Sequence, residues 1–162
     1  MESCIRGLRR IKRQVLTSVL IIAISLALLL YWFRYSCSLI LSTGAARDCR
    51  LEVAVANQLK FLEVQDCLGT ASAASFDSLK QSLDRDYKLV NYLHRTAKHL
   101  EEPANVVEHS MLRADFHLMR VWYSIAKTFS STQARAAIDE MAQVVGHLAD
   151  SFGQKATNSA AA

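Results

Sequence analysis

The chain has 162 residues, of which 51% are hydrophobic, with five glycines and one proline. That length accommodates one domain and an anchor. So few glycines and prolines exclude the turn-rich sandwiches, barrels and flexible linkers that use both as punctuation. The formal net charge of +4 is concentrated: residues 1–34 hold Arg6, Arg9, Arg10, Lys12, Arg13 and Arg34 against Glu2 alone, while the remainder holds 13 basic and 14 acidic residues. The larger part therefore lacks the positive footprint of a nucleic-acid binder, and no nucleic-acid partner is expected.

Residues 1–14 read as a basic cytoplasmic tail. Arg6, Arg9, Arg10, Lys12 and Arg13 set topology, and could also face anionic lipid headgroups at about 1 kcal/mol per basic residue. Residues 15–35 read as a transmembrane signal-anchor helix. Its first 19 residues, VLTSVLIIAISLALLLYWF, carry no charge and span about 28 Å as a helix, close to the ~30 Å of a hydrocarbon core. Tyr31, Trp32, Phe33 and Tyr35 cluster at the far end, where amphipathic rings favour the headgroup level. A cleaved signal peptide is the competing reading. The apolar run is longer than such peptides use, and the small-residue site Gly44-Ala45-Ala46 lies well past it. Five basic residues precede the run and only Arg34, Arg47 and Arg50 follow it closely. The positive-inside rule then leaves the N-terminus in the cytoplasm and sends the rest to the periplasm or its equivalent.

A juxtamembrane linker is expected at 36–46, an exported helical domain at 47–153, and a disordered tail at 154–162. Within the domain, apolar residues recur at spacings of three and four. The first helical segment covers 46–68, with Leu51, Val55, Leu59 and Leu62 on its stripe, Val53 and Phe61 as candidate additions, and Gly69 as its stop. The second covers 76–100, with Phe76, Leu79, Leu83, Tyr87, Val90 and Leu93 or His94 inward and Asp84–Lys88 as a supporting ion pair. The third runs 103–130 behind Pro103, which suits a first helical turn. Its stripe is Val106 or Val107, Met111, Ala114, Leu118, Trp122, Ile125 and Phe129, widened by Phe116, Met119 and Tyr123, so it is expected to be the most buried helix. The fourth covers 132–152, capped by Ser130-Ser131-Thr132 and stopped at Gly153. Four amphipathic helices with short connections predict an all-α fold, an antiparallel four-helix bundle behind one transmembrane helix. The alternative is a three-helix bundle on a helical stalk.

Residues that carry chemistry are sparse. Cys37, Cys49 and Cys67 are available for a disulfide or as exposed thiols. Eighteen residues on one straight helix would hold Cys49 and Cys67 about 27 Å apart, so bridging them would require a broken first segment. No C-x-x-C or zinc-finger spacing occurs. His94, His99, His109, His117 and His147 include no i,i+3 or i,i+4 pair of the kind that shares an ion. His109 and His117 come nearest, on roughly one face but two turns apart, so no metal site and no cofactor are expected and the histidines read as surface or bundle-edge residues. No G-x-S-x-G turn and no glycine-rich phosphate loop is present. The functional expectation is a membrane-anchored, non-enzymatic interaction or accessory protein. Its partners would be the lipid bilayer and another membrane protein or a second copy. The alternative is a ligand-, metal- or haem-binding sensory bundle.

Overall fold

The computed structural model describes residues 2–42, 49–70, 75–96 and 103–161, with side chains for 15–41, 49–70, 75–96 and 106–159. Among these the chain forms six helices and no strand: α1 (Glu2–Ser42), α2 (Arg50–Asn57), α3 (Phe61–Leu68), α4 (Phe76–Thr96), α5 (Pro103–Phe129) and α6 (Ser131–Ala161). The fold is all-α, and it divides into two compact units, Met1–Leu39 and Ile40–Ala162.

The first unit is α1 alone. The stretch Val15–Leu41 is long and apolar enough to cross a membrane. Every valine, leucine and isoleucine from Val15 to Leu30 is exposed, and a helix apolar around its whole circumference is at home only in protein or lipid. The helix does not stop at Tyr35. It continues to Ser42, through most of the expected linker, because SCSLILS contains neither glycine nor proline to end it. Gly44-Ala45-Ala46 lies outside the described residues.

In the second unit α6 is the hub. It packs against α2, α3, α4 and α5, and all seven residues from Val144 to Asp150 are buried. The most buried helix is thus α6 rather than α5. Its small residues explain this: Ala134, Ala137, Ala142, Gly146, Ala149 and Gly153 leave room for helices on several sides. A Cβ at Gly146 would meet the Phe61 ring at 3.1 Å, and one at Gly153 would meet the Cys49 Cβ at 2.6 Å and the Val53 Cγ2 at 2.8 Å. These two glycines, seven residues apart on one face, are where α3 and α2 sit. Gly153 consequently does not end α6. It keeps negative φ, and the helix runs on to Ala161 through the segment expected to be a disordered tail.

Cross-helix contacts give the directions. Asp77 meets Tyr123, Asp84 meets Arg120, Tyr87 stacks on Phe116 and His94 meets His109. Rising numbers on α4 match falling numbers on α5, so the two run antiparallel. The single residue Ser130 turns α5 back into α6, and Glu108 reaches His147 while His109 reaches Ser151. Ser130 caps α6 as expected, its Oγ accepting the Gln133 N–H at 3.4 Å.

The first segment is not one helix. It breaks at Gln58, which takes a left-handed backbone with φ 53° and ψ 42°. The Leu59 N–H returns to the Ala54 carbonyl at 2.9 Å, the 6→1 bond of a Schellman stop. A non-glycine residue in this region costs about 1 kcal/mol, and burial of Leu59 and Phe61 immediately afterwards offsets it. The break changes the phase of the stripe: Val53, Ala54, Phe61 and Val64 face inward while Leu51 and Val55 are exposed. Neither short helix caps itself. Asp150 of α6 accepts the Cys49 N–H at 2.7 Å, and Asp86 of α4 accepts the Lys60 N–H at 2.6 Å. Burial pushes the Asp86 carboxyl up, against the pull of the Lys60 and Phe61 amides. Two buried carboxylates from other helices therefore supply the N-terminal caps of α2 and α3, interactions of the order of 1–2 kcal/mol each. The expected Asp84–Lys88 pair is replaced by Asp84 with Lys80 at 3.3 Å and with Arg120 at 3.5 Å. Bonding to α5 draws Asp84 away from its own helix's later turn.

Candidate functional site

Two places in the second unit carry features that the fold alone does not require. One is a polar cluster inside α4, α5 and α6. The other is the outer face of α5.

The cluster is built on three histidines that the sequence reads as surface or bundle-edge residues, His94 also being an alternative to Leu93 on the inward stripe of α4. His94, His109 and His147 are buried. His94 Nε2–H donates to the Leu148 carbonyl at 2.8 Å, and His147 Nε2–H donates to the Glu108 Oε1 at 2.8 Å. His109 Nε2 meets the Ser151 Oγ at 2.8 Å, and its ring lies edge-on to His94 with centroids 4.5 Å apart. Burial drives the His109 imidazole down to about 3, helped by the nearby His94, Lys155 and Arg113. The structure separates His109 from His117. His117 is exposed on the α4 side, where its ring meets Tyr87 edge-on at 5.4 Å and its Nε2 lies 3.4 Å from the Tyr87 hydroxyl. One ring nitrogen of each clustered histidine is engaged by the protein, and no group of three or more His, Cys, Asp or Glu among the described residues is arranged to hold a metal. The cluster fastens three helices together. The sequence signal for it was the place of His94 on the α4 stripe. Nothing in spacing could pair His109 with Ser151.

The cysteines also fall out differently from a simple bridge. Cys49 is buried against Gly153, Cys37 is buried, Cys67 is exposed, and no disulfide joins them. The first segment is broken, as a Cys49–Cys67 bond would demand, yet the break leaves the two thiols in different environments. In the first unit Tyr31, Trp32 and Tyr35 are exposed and Phe33 is partly so, with Trp32 and Tyr35 edge-to-face at 6.0 Å. Arg6, Arg9, Arg10, Lys12 and Arg13 lie on the helical backbone of α1, and their side chains are outside the described residues.

No family model matches this chain, and neither a curated protein nor a solved structure matches it.

The outer face of α5 is where the predicted stripe and the structure part. The buried side of α5 is Leu112, Phe116, Met119, Tyr123 and Ala126. Val107, Val121, Trp122, Ile125 and Phe129 are exposed, Phe129 to 85%. The residues singled out to widen the stripe are buried in the core; of those taken as its centre, Leu118 packs against the core and Met111 is half-buried, whereas Val106, Val107, Ala114, Trp122, Ile125 and Phe129 face outward. Composition could not decide between the two faces, because α5 carries apolar residues at helical spacing on both. The polar contacts that α5 makes with α4 settle the rotation: Tyr123 donates to Asp77 at 2.8 Å, and Tyr87 and Phe116 stack at 4.0 Å with planes 4° apart. Burial, reinforced by that bond, raises the Tyr123 hydroxyl to about 12, and the Tyr123 and Lys127 contacts lower the Asp77 carboxyl. Two open grooves lie elsewhere, one of about 600 Å³ lined by Gln81, Asp84, Arg85, Lys88 and Leu89 of α4 alone, and one of about 380 Å³ between Ala54 and Glu63.

Proposed function

We propose that this protein is a membrane-anchored, non-enzymatic interaction or accessory subunit whose docking surface is the outer face of α5. One observation carries the reading: a helix packed on one side by its own domain presents a second apolar side, including Trp122 and Phe129, to the exterior. Aromatic residues with low conformational entropy are the usual anchors of protein interfaces, and contiguous exposed apolar surface on a folded domain marks a contact site. In this reading the helix from Val15 stays attached and in the bilayer. The charge asymmetry around it keeps the N-terminus cytoplasmic and puts the second unit on the extracytoplasmic side. The buried histidines serve stability, since each spends a ring nitrogen on a protein partner.

The test is site-specific photocrosslinking in native membranes. A benzophenone amino acid at position 122 or 125 of the full-length chain captures a protein neighbour, and one at Arg135, exposed on α6, does not. Equal yields from both faces, or none from α5, would remove the reading.

A further inference from the structure

We infer that the outer seam of α5 packs against the same seam of a second copy of this chain anchored in the same membrane. The inference rests on the reading of α5 as the docking surface and names its occupant. Val107, Met111, Ala114, Leu118, Val121 and Ile125 follow one another at spacings of 4, 3, 4, 3 and 4. This is the heptad register of a helix that meets a partner helix along its length, with small Ala114 allowing close approach. The buried side of α5 has its partners within the domain; of the second register, Met111 is half-buried and Leu118 packs at the edge of the core, while Val107, Ala114, Val121 and Ile125 are left exposed.

Charge favours a second copy over an anionic lipid surface. A self-complementary interface must not set like charges against each other. On one flank of the seam the nearest residues are Ser110, His117 and Ser124. The basic side chains Arg113, Arg120 and Lys127 stand one step further round; Arg113 is half-buried, and the other two are drawn toward α4, Arg120 to Asp84 at 3.5 Å and Lys127 to Asp77 at 3.2 Å. On the other flank Asp115 is buried, and Glu108 holds His147 at 2.8 Å. Two such seams meet without repulsion. The same ion pairs leave little positive charge to attract the face to anionic lipid, which amphipathic helices at membrane surfaces depend on.

Size explains the need for the anchor. The seam from Val107 to Phe129 is about 33 Å long and one helix, about 10 Å, wide. A strip of that size falls short of the ~800 Å² per partner of free-standing complexes. Confinement of two copies to one bilayer raises their effective concentration enough to compensate.

The test uses the full-length chain in liposomes. Isotopically labelled chain with a benzophenone amino acid at position 121 is mixed with unlabelled chain and irradiated, and the crosslinked peptides are identified by mass. The expected product joins labelled position 121 to unlabelled α5. Ile125→Glu lowers its yield at least about tenfold. The Ile125 side chain is 48% exposed in the single chain, so an unchanged helical content and melting temperature of the variant exclude misfolding as the cause. Crosslinks only to lipid, crosslinks to other parts of the second copy, or a yield indifferent to Ile125→Glu would overturn the inference. The same probe in native membranes separates the two claims. Capture of a different protein at position 121 ends the self-pairing and leaves α5 as the docking face, whereas lipid adducts alone end both.

Discussion

His109 shows how far a single side chain departs from what its spacing suggests. It is 3% exposed, holds Ser151 through Nε2, and lies among His94, Lys155 and Arg113. Protonation there puts an unsolvated cation beside other cations, so the folded-state value falls to about 3 from an ordinary 6.5. The unfolded chain therefore binds the proton first. The stabilising contribution is complete above about pH 6.5, and it is lost as pH falls toward 3 with a slope approaching about 1.4 kcal/mol per pH unit. Denaturant melts of the full chain in detergent at pH 7 and pH 4 check this. His109→Gln, which removes the titrating group, should lose distinctly less stability between the two pH values than the parent. Equal losses would show that His109 is not the sensitive group. None of this was legible beforehand, because a histidine reads as polar whichever way its helix is turned, and the rotation of α5 is set by Tyr87, Phe116 and Tyr123.

At the scale of helices, the clearest result is that α6 accepts neighbours on several sides through its small residues. Gly146 and Gly153 look alike in sequence, but their surroundings differ. A methyl group at 153 meets the Cβ of Cys49 at 2.6 Å and a Val53 methyl at 2.8 Å, whereas at 146 it meets a Phe61 ring edge at 3.1 Å. Gly153→Ala should therefore cost about 1–3 kcal/mol as α2 is pushed off. Gly146→Ala should come out near neutral, since a gain of about 1 kcal/mol in helix propensity opposes a smaller clash. Chemical denaturation of the two variants decides; a Gly153→Ala protein as stable as the parent would show that α2 does not rest there. The helical stretches themselves were legible: α4 begins at Phe76, α5 at Pro103, and α6 within a residue of its expected start. Their stops were less so, because Gly153 reads as a terminator unless its contact with Cys49 is known, and Gln58 carries no composition cue for a left-handed turn. The inward face of α4 was legible for a simple reason, that only one side of it is apolar. The inward face of α5 was not, because both sides are.

For the molecule as a whole, the apolar helix was the plainest feature of the sequence, since a charge-free run of this length has few other uses. Its direction is argued from charge alone. An alkaline phosphatase fused after Ala162 should be active when the chain is made in a bacterial host, and a reporter that works only in the cytosol should be silent at the same point. The opposite pattern would reverse the topology and place α5 on the cytoplasmic side.

The borrowed caps have a consequence for the order in which the chain becomes structured. Helices of eight residues do not persist alone in water, and α2 and α3 each rely on a carboxylate held much later in the chain, Asp150 and Asp86. As the polypeptide emerges from the ribosome, α3 must wait for Asp86, 26 residues beyond Lys60, and the segment from Cys49 to Asn57 must wait for Asp150, 101 residues beyond Cys49. Release before Asp150 would leave that segment unstructured, a ready target for quality-control proteases.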